Sequence, residues 1–187
     1  MADTAQQFTR LLDKNRKKIV KAWFQGVIDS YPPKTSEFLA GQKDQFANPI
    51  GANLARDLDN IFSELLRDES TEALFTAVDG IIRVRAVQDF PPAAAVKCFL
   101  MLKKIVRQNI GTQIRDQDLI NELAVFDDKV DQLMLVAFEA YMKCRETIWE
   151  LKAKEAQHRT RNLLRRKAGV DWTVSDSPDP QPEETGR

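Results

Sequence analysis

Glycine is scarce in this chain, seven residues in 187, and no stretch alternates apolar with polar side chains. Sheet proteins need that period of two and a steady supply of turn residues, so a strand-built fold is excluded and a helical one is left. Cysteine is scarcer still, with Cys98 and Cys144 far apart and outside any Cys-x-x-Cys or Cys/His spacing. That excludes a zinc or dithiol site of the usual kind and makes both residues expected core thiols, with a helix-to-helix disulfide as the alternative. His158 is the single histidine and lies among charged residues, where it is expected to be solvated. Neither charge sign is in excess, at 28 basic and 28 acidic residues, which argues against a surface that coats nucleic acid or anionic lipid along its length. No uncharged run approaches the roughly 18 to 20 apolar residues of a membrane span. The acidic start, Met1-Ala2-Asp3-Thr4, has no leader pattern, so a cytoplasmic protein is expected.

The catalytic signatures are absent too. There is no His-Glu-x-x-His, no phosphate-binding glycine loop and no Ser/His/Asp or Cys/His set, so no enzyme, cofactor or metal is expected. What the chain does contain is helical periodicity, punctuated by Tyr31-Pro32-Pro33, Asn48-Pro49, Asp68-Glu69-Ser70 and Phe90-Pro91-Pro92. The spacing predicts helices over 3–30, 35–44, 49–67, 71–88, 93–110 and 118–167, with Asp3 and Asn48 as N-caps and a loop over 111–115. The apolar faces are Phe8, Leu11, Leu12, Ile19, Ala22 and Trp23 in the first helix, and Phe38 and Leu39 in the second. Leu54, Leu58, Ile61, Phe62 and Leu65 make the third. The fifth is apolar nearly all round, as a central helix is. The sixth carries a seam through Leu123, Phe126, Val130, Leu133, Ala137, Tyr141, Cys144, Ile148 and Leu151, at spacings of three and four. The expected architecture is an all-α, single-domain bundle of six helices over 1–167. Its basic end, 152–167, is expected to project, and an acidic, Pro-rich tail over 168–187 to stay disordered.

Two constellations stand out. At about 100° per residue, Leu74, Ala77, Val78, Ile81, Val84, Arg85 and Gln88 share one face of the fourth helix, with Arg85 near its centre. A guanidinium there calls for a carboxylate: Asp89 one turn on, or Glu146 or Asp131 from the long helix. A structural ion pair that fixes helix register is the first reading. An anion or small-ligand site made by Arg85 with Gln88 and Arg145 is the second. The other constellation is the basic stretch with Lys152, Lys154, Arg159, Arg161, Arg165, Arg166 and Lys167, a docking surface for an acidic protein. Without interleaved aromatics it does not read as a nucleic-acid groove.

The chain resembles the RsbRD N-terminal domain family, named for co-antagonists of the RsbT kinase in bacterial stressosomes. The resemblance runs from about Phe8 to Arg166. It rests on Ala22-Trp23, Tyr31-Pro32, Asp44-Gln45-Phe46-Ala47-Asn48-Pro49-Ile50-Gly51, Ile82-Arg83-Val84-Arg85-Ala86-Val87-Gln88-Asp89-Phe90, Leu102-Lys103-Lys104-Ile105 and Tyr141-Met142-Lys143-Cys144-Arg145-Glu146. It implies a helical regulatory or sensory module, akin to globins without haem, that in the co-antagonists precedes a phosphorylation domain; this chain reads as a stand-alone member. The implied partners are proteins: a kinase system of the anti-sigma type or, because such stand-alone members accompany sulfur metabolism, a membrane-bound redox complex. A homodimer through the long last helix is a further expectation.

Overall fold

The computed structural model describes residues 2–41, 48–67 and 72–168, and among these there are helices and no strands. The helices are α1 (Ala2–Asp29), α2 (Pro33–Gly41), α3 (Pro49–Leu65), α4 (Glu72–Val87), α5 (Pro92–Ile110) and α6 (Gln117–Ala168), with one 3₁₀ turn at Gly111–Gln113 inside the expected loop. The predicted break at Asp68-Glu69-Ser70, Thr71 as the start of α4, and the acidic tail lie outside the described residues.

Local chemistry explains most of the boundaries. Asn48 opens α3 with both ends of its amide: Oδ1 accepts the Gly51 N–H at 2.9 Å, while Nδ2 donates to the Leu39 carbonyl at 2.9 Å near the end of α2. Pro49 then takes the first helical position, where its lack of an N–H costs nothing. Gly51 is required there, because a Cβ would lie 2.4 Å from the Asn48 amide nitrogen. Pro91 and Pro92 open α5 in the same sense, and the Ala95 N–H closes the first turn on the Pro91 carbonyl at 2.8 Å. Asp116 caps α6 by accepting the Leu119 N–H at 2.8 Å. Asp3 is not an N-cap, since α1 already begins at Ala2; it sits in the first turn, where a carboxylate faces the positive end of the helix dipole.

The chain divides into two compact units, Met1–Ile148 and Trp149–Arg187. In the first, α1 packs against α5 and α3, and α3 packs against α4. The indole N–H of the fully buried Trp23 donates to the Cys98 carbonyl at 2.7 Å, which ties the centre of α1 to α5. α6 meets α1 through the Phe8 and Phe126 rings, and meets α5 through the Lys103–Asp131 and Arg107–Asp127 pairs. Its expected seam is buried at Phe126, Val130, Leu133, Ala137 and Tyr141, half-buried at Leu123, Cys144 and Ile148, and absent at Leu151, which is 61% exposed. Ala22 and Phe38 are likewise exposed, because each sits at the edge of its apolar face. Both cysteines are free, Cys98 buried and Cys144 half-buried. Burial pushes the Cys98 thiol up to about 11, with the Arg85 charge pulling the other way.

In the second unit every described side chain from 149 to 165 is exposed, including Trp149, Leu163 and Leu164. Lys152 lies over the Trp149 ring at 5.5 Å, and Arg159 pairs with Glu155 one turn back. No described helix in either unit is long and apolar enough to cross a membrane.

Candidate functional site

Arg85 has no exposed surface, and among the described residues no carboxylate lies within ion-pair range of it. This corrects the expected pairing with Asp89, Glu146 or Asp131. Its contacts are of two other kinds. Nη2 donates to the Ser30 hydroxyl at 2.9 Å and to the Ala94 carbonyl at 3.2 Å, while Nε and Nη1 have no hydrogen-bond partner among the described residues. The guanidinium carbon lies 4.3 Å from the centre of the Phe90 ring and 5.1 Å from that of Tyr31, and the two rings meet edge to face at 5.0 Å. Ring faces attract a desolvated cation. So do the carbonyl ends of helices, and Arg85 lies where both α1 and α4 terminate. The charge is therefore held by dipoles and π faces rather than by a counter-ion.

The turn that follows Arg85 is pinned from α6. Asp89 adopts a left-handed conformation, φ 57°, which is costly for a residue with a Cβ, and the Phe90 N–H closes back on the Arg85 carbonyl at 3.1 Å. Tyr141 donates its hydroxyl to the Phe90 carbonyl at 2.5 Å. Arg145 donates to the Ala86 carbonyl at 3.2 Å and forms an ion pair with Asp89 at 2.5 Å. The corner between α4 and α5 is thus held by α1 and α5 from inside, through Arg85, and by α6 from outside, through Tyr141 and Arg145.

Of the residues singled out from the sequence, the structure joins Asp89 and Arg145 to each other and places Arg85 one layer beneath them. Gln88 and Glu146 are exposed and do not face Arg85, so the expected Arg85, Gln88 and Arg145 cluster does not form as one site. Gln88 falls at the edge of the α4 face, beyond the last helical residue, Val87. The residues that complete the corner, Ser30, Tyr31, Phe90 and Tyr141, carry no local sequence signal of a site. Tyr31 and Phe90 sit beside prolines and read as punctuation. Arg159, Arg161 and Arg165 are exposed in the second unit, and the Arg166 side chain lies outside the described residues.

Two clefts flank this frame. One, about 580 Å³, runs between α4 and α6, with Phe75, Val136 and Ala140 on its walls. The other, about 260 Å³, lies between α3 and α4 and is bounded by Tyr31. No group of acidic, cysteine or histidine side chains among the described residues is placed to hold a metal ion.

The family model of the RsbT co-antagonist protein rsbRD N-terminal domain matches residues 17–156. The chain belongs to this family. The matched span contains every residue of the corner, from Ser30 just after α1 to Arg145 on α6, so the RsbRD N-terminal domain of this chain is the unit that holds Arg85. An uncharacterized protein of Archaeoglobus fulgidus is 28% identical over 144 residues, which covers 76% of this chain and 85% of that relative. No solved structure matches the chain.

Proposed function

We propose that this RsbRD-type domain is a non-catalytic regulatory module that works through protein contacts, with the α4–α5 corner as the element that responds. The observation that carries the reading is the double clamp on one turn: Arg85 beneath it, bonded to α1 and α5, and Tyr141 and Arg145 above it from α6. Any change that moves the turn must alter the contacts α6 makes there. Regulatory transitions act on elements of this kind, whose contacts with neighbouring helices can be exchanged.

The partner surface in this reading is the basic stretch with Arg159, Arg161, Arg165 and Arg166, which suits an acidic protein such as a component of a kinase system. An accessory role at a membrane redox complex uses the same surface with a different partner. Both are tested by affinity capture with the full chain and a variant in which Arg159, Arg161 and Arg165 are changed to Glu. The reading expects the variant to lose a partner that the unaltered chain retains, at unchanged helical circular dichroism. Identical captured sets would refute it. A second reading, a small-ligand sensor in the Arg85 region, is favoured by the cleft that Tyr31 bounds.

A further inference from the structure

We infer that the cleft between α3 and α4 binds a small zwitterion with an apolar tail, the chemistry of a free aliphatic amino acid. This inference deepens the sensor reading and depends on no partner. The cleft, about 260 Å³, is smaller than the usual range for drug-sized ligands. Ile50, Leu54, Ile81 and Val84 make it apolar. Two charged residues join that wall, Arg56 and Asp57, consecutive on α3.

Their exposures differ. The Arg56 side chain is 61% exposed at the mouth, whereas that of Asp57 is 14% exposed. The contacts between them are long, 3.4 and 3.5 Å, and both fall on Oδ1. Oδ2 has no hydrogen-bond partner among the described residues, and burial raises the carboxyl above its ordinary range despite the Arg56 charge beside it. Glycine at residue 80 gives this oxygen its room in α4, since a Cβ there would lie 2.9 Å from Oδ2 and push the carboxylate aside. A partly desolvated carboxylate oxygen facing an apolar cleft favours a donor that brings a positive charge.

A simple amine would meet opposition, for Arg56 stands at the mouth and the Arg85 guanidinium lies 5.1 Å from the centre of the Tyr31 ring that bounds the cleft. A zwitterion resolves the conflict. Its ammonium donates to Asp57 Oδ2, its carboxylate meets Arg56, and its aliphatic tail covers Leu54, Ile81 and Val84. The Tyr31 ring, in contact with Arg85, connects an occupied cleft to the corner above.

Isothermal titration of the full chain tests this with L-leucine, L-valine and L-methionine, and with two single-charge analogues of leucine, 3-methylbutylamine and 4-methylpentanoate. The expected result is saturable binding of at least one amino acid, at least about ten-fold tighter than either analogue. Asp57→Asn and Gly80→Ala should each weaken it about as much, with helical circular dichroism unchanged. As a readout independent of those variants, the amide resonances of Asp57 and Gly80 should shift on titration of the unaltered chain. No binding by any of the three at millimolar concentration, binding matched by either analogue, or shifts confined to other helices would overturn the inference. None of these failures would bear on partner capture.

Discussion

At Arg85 the desolvation of a full charge is set against two hydrogen bonds from one nitrogen, two aromatic faces and the ends of two helices. A buried charge without a counter-ion is a weak source of stability, and an apolar side chain of similar volume often replaces one without loss. Arg85→Ala should therefore destabilise by about 3 kcal/mol or more, chiefly by opening a cavity. Arg85→Met should stay within about 1 kcal/mol of the parent. Urea unfolding with unchanged m-values measures both, and equal losses in the two variants would show that the guanidinium contacts outweigh its desolvation. Cys98 gives a pH signature. Its thiol is held up to about 11 when folded, against 9.0 for the unperturbed group, so the unfolded chain ionises first. Stability from this group is complete below pH 9 and falls as pH rises from 9 towards 11. Burial raises the Tyr31 hydroxyl too, which adds loss of the same sign at higher pH. Cys98→Ala should flatten the earlier part of that decline in melts taken across the range.

Among the elements, the Asn48 amide ties the end of α2 to the start of α3. Because Asn48 both caps α3 and donates to the Leu39 carbonyl, Asn48→Ala removes at least these two bonds at a buried position and should cost about 1–2 kcal/mol. Asn48→Asp isolates the second bond. It keeps the acceptor for Gly51 but turns a carboxylate towards the Leu39 carbonyl, so it should melt no higher than Asn48→Ala at neutral pH. A melt close to the parent would mean that the cap alone matters. The α5 to α6 pairs are of a different kind. Lys103–Asp131 and Arg107–Asp127 lie at the margin of the core, and exposed pairs of this sort contribute at most about 1 kcal/mol each. They align α6 rather than hold it; the buried seam does that.

At the scale of the whole molecule, all the buried residues among those described belong to Met1–Ile148. A chain ending at Ile148 should unfold with the same cooperativity and within a few degrees of the full chain, and differential scanning calorimetry compares the two directly. A large fall in melting temperature would mean that exposed residues beyond Trp149 stabilise the bundle. The same truncation removes Arg159, Arg161 and Arg165, so it should eliminate partner capture while sparing binding of an amino acid in the α3–α4 cleft. That separates the two proposed activities in one protein.

Periodicity and punctuation by themselves determined the six helices to within a few residues at most described ends, since amphipathic spacing and capping residues act over one or two turns. They also determined that Arg85 would lie on a buried face. They did not determine what Arg85 touches. Asp89 is four residues on, the spacing of a helical ion pair, but the left-handed backbone at Asp89 turns the carboxylate outward to Arg145. The Tyr31 ring comes to Arg85 from the end of α1, a separation no local rule covers, and the Phe90 ring reaches it only because the turn at Asp89 folds back. The cleft beside Gly80 is equally invisible in the sequence, because it exists only where α3 and α4 pack closely enough for one missing Cβ to leave space for Asp57. Local physics therefore sets which segments are helical and which faces turn inward, whereas the packing of those faces decides which charges meet.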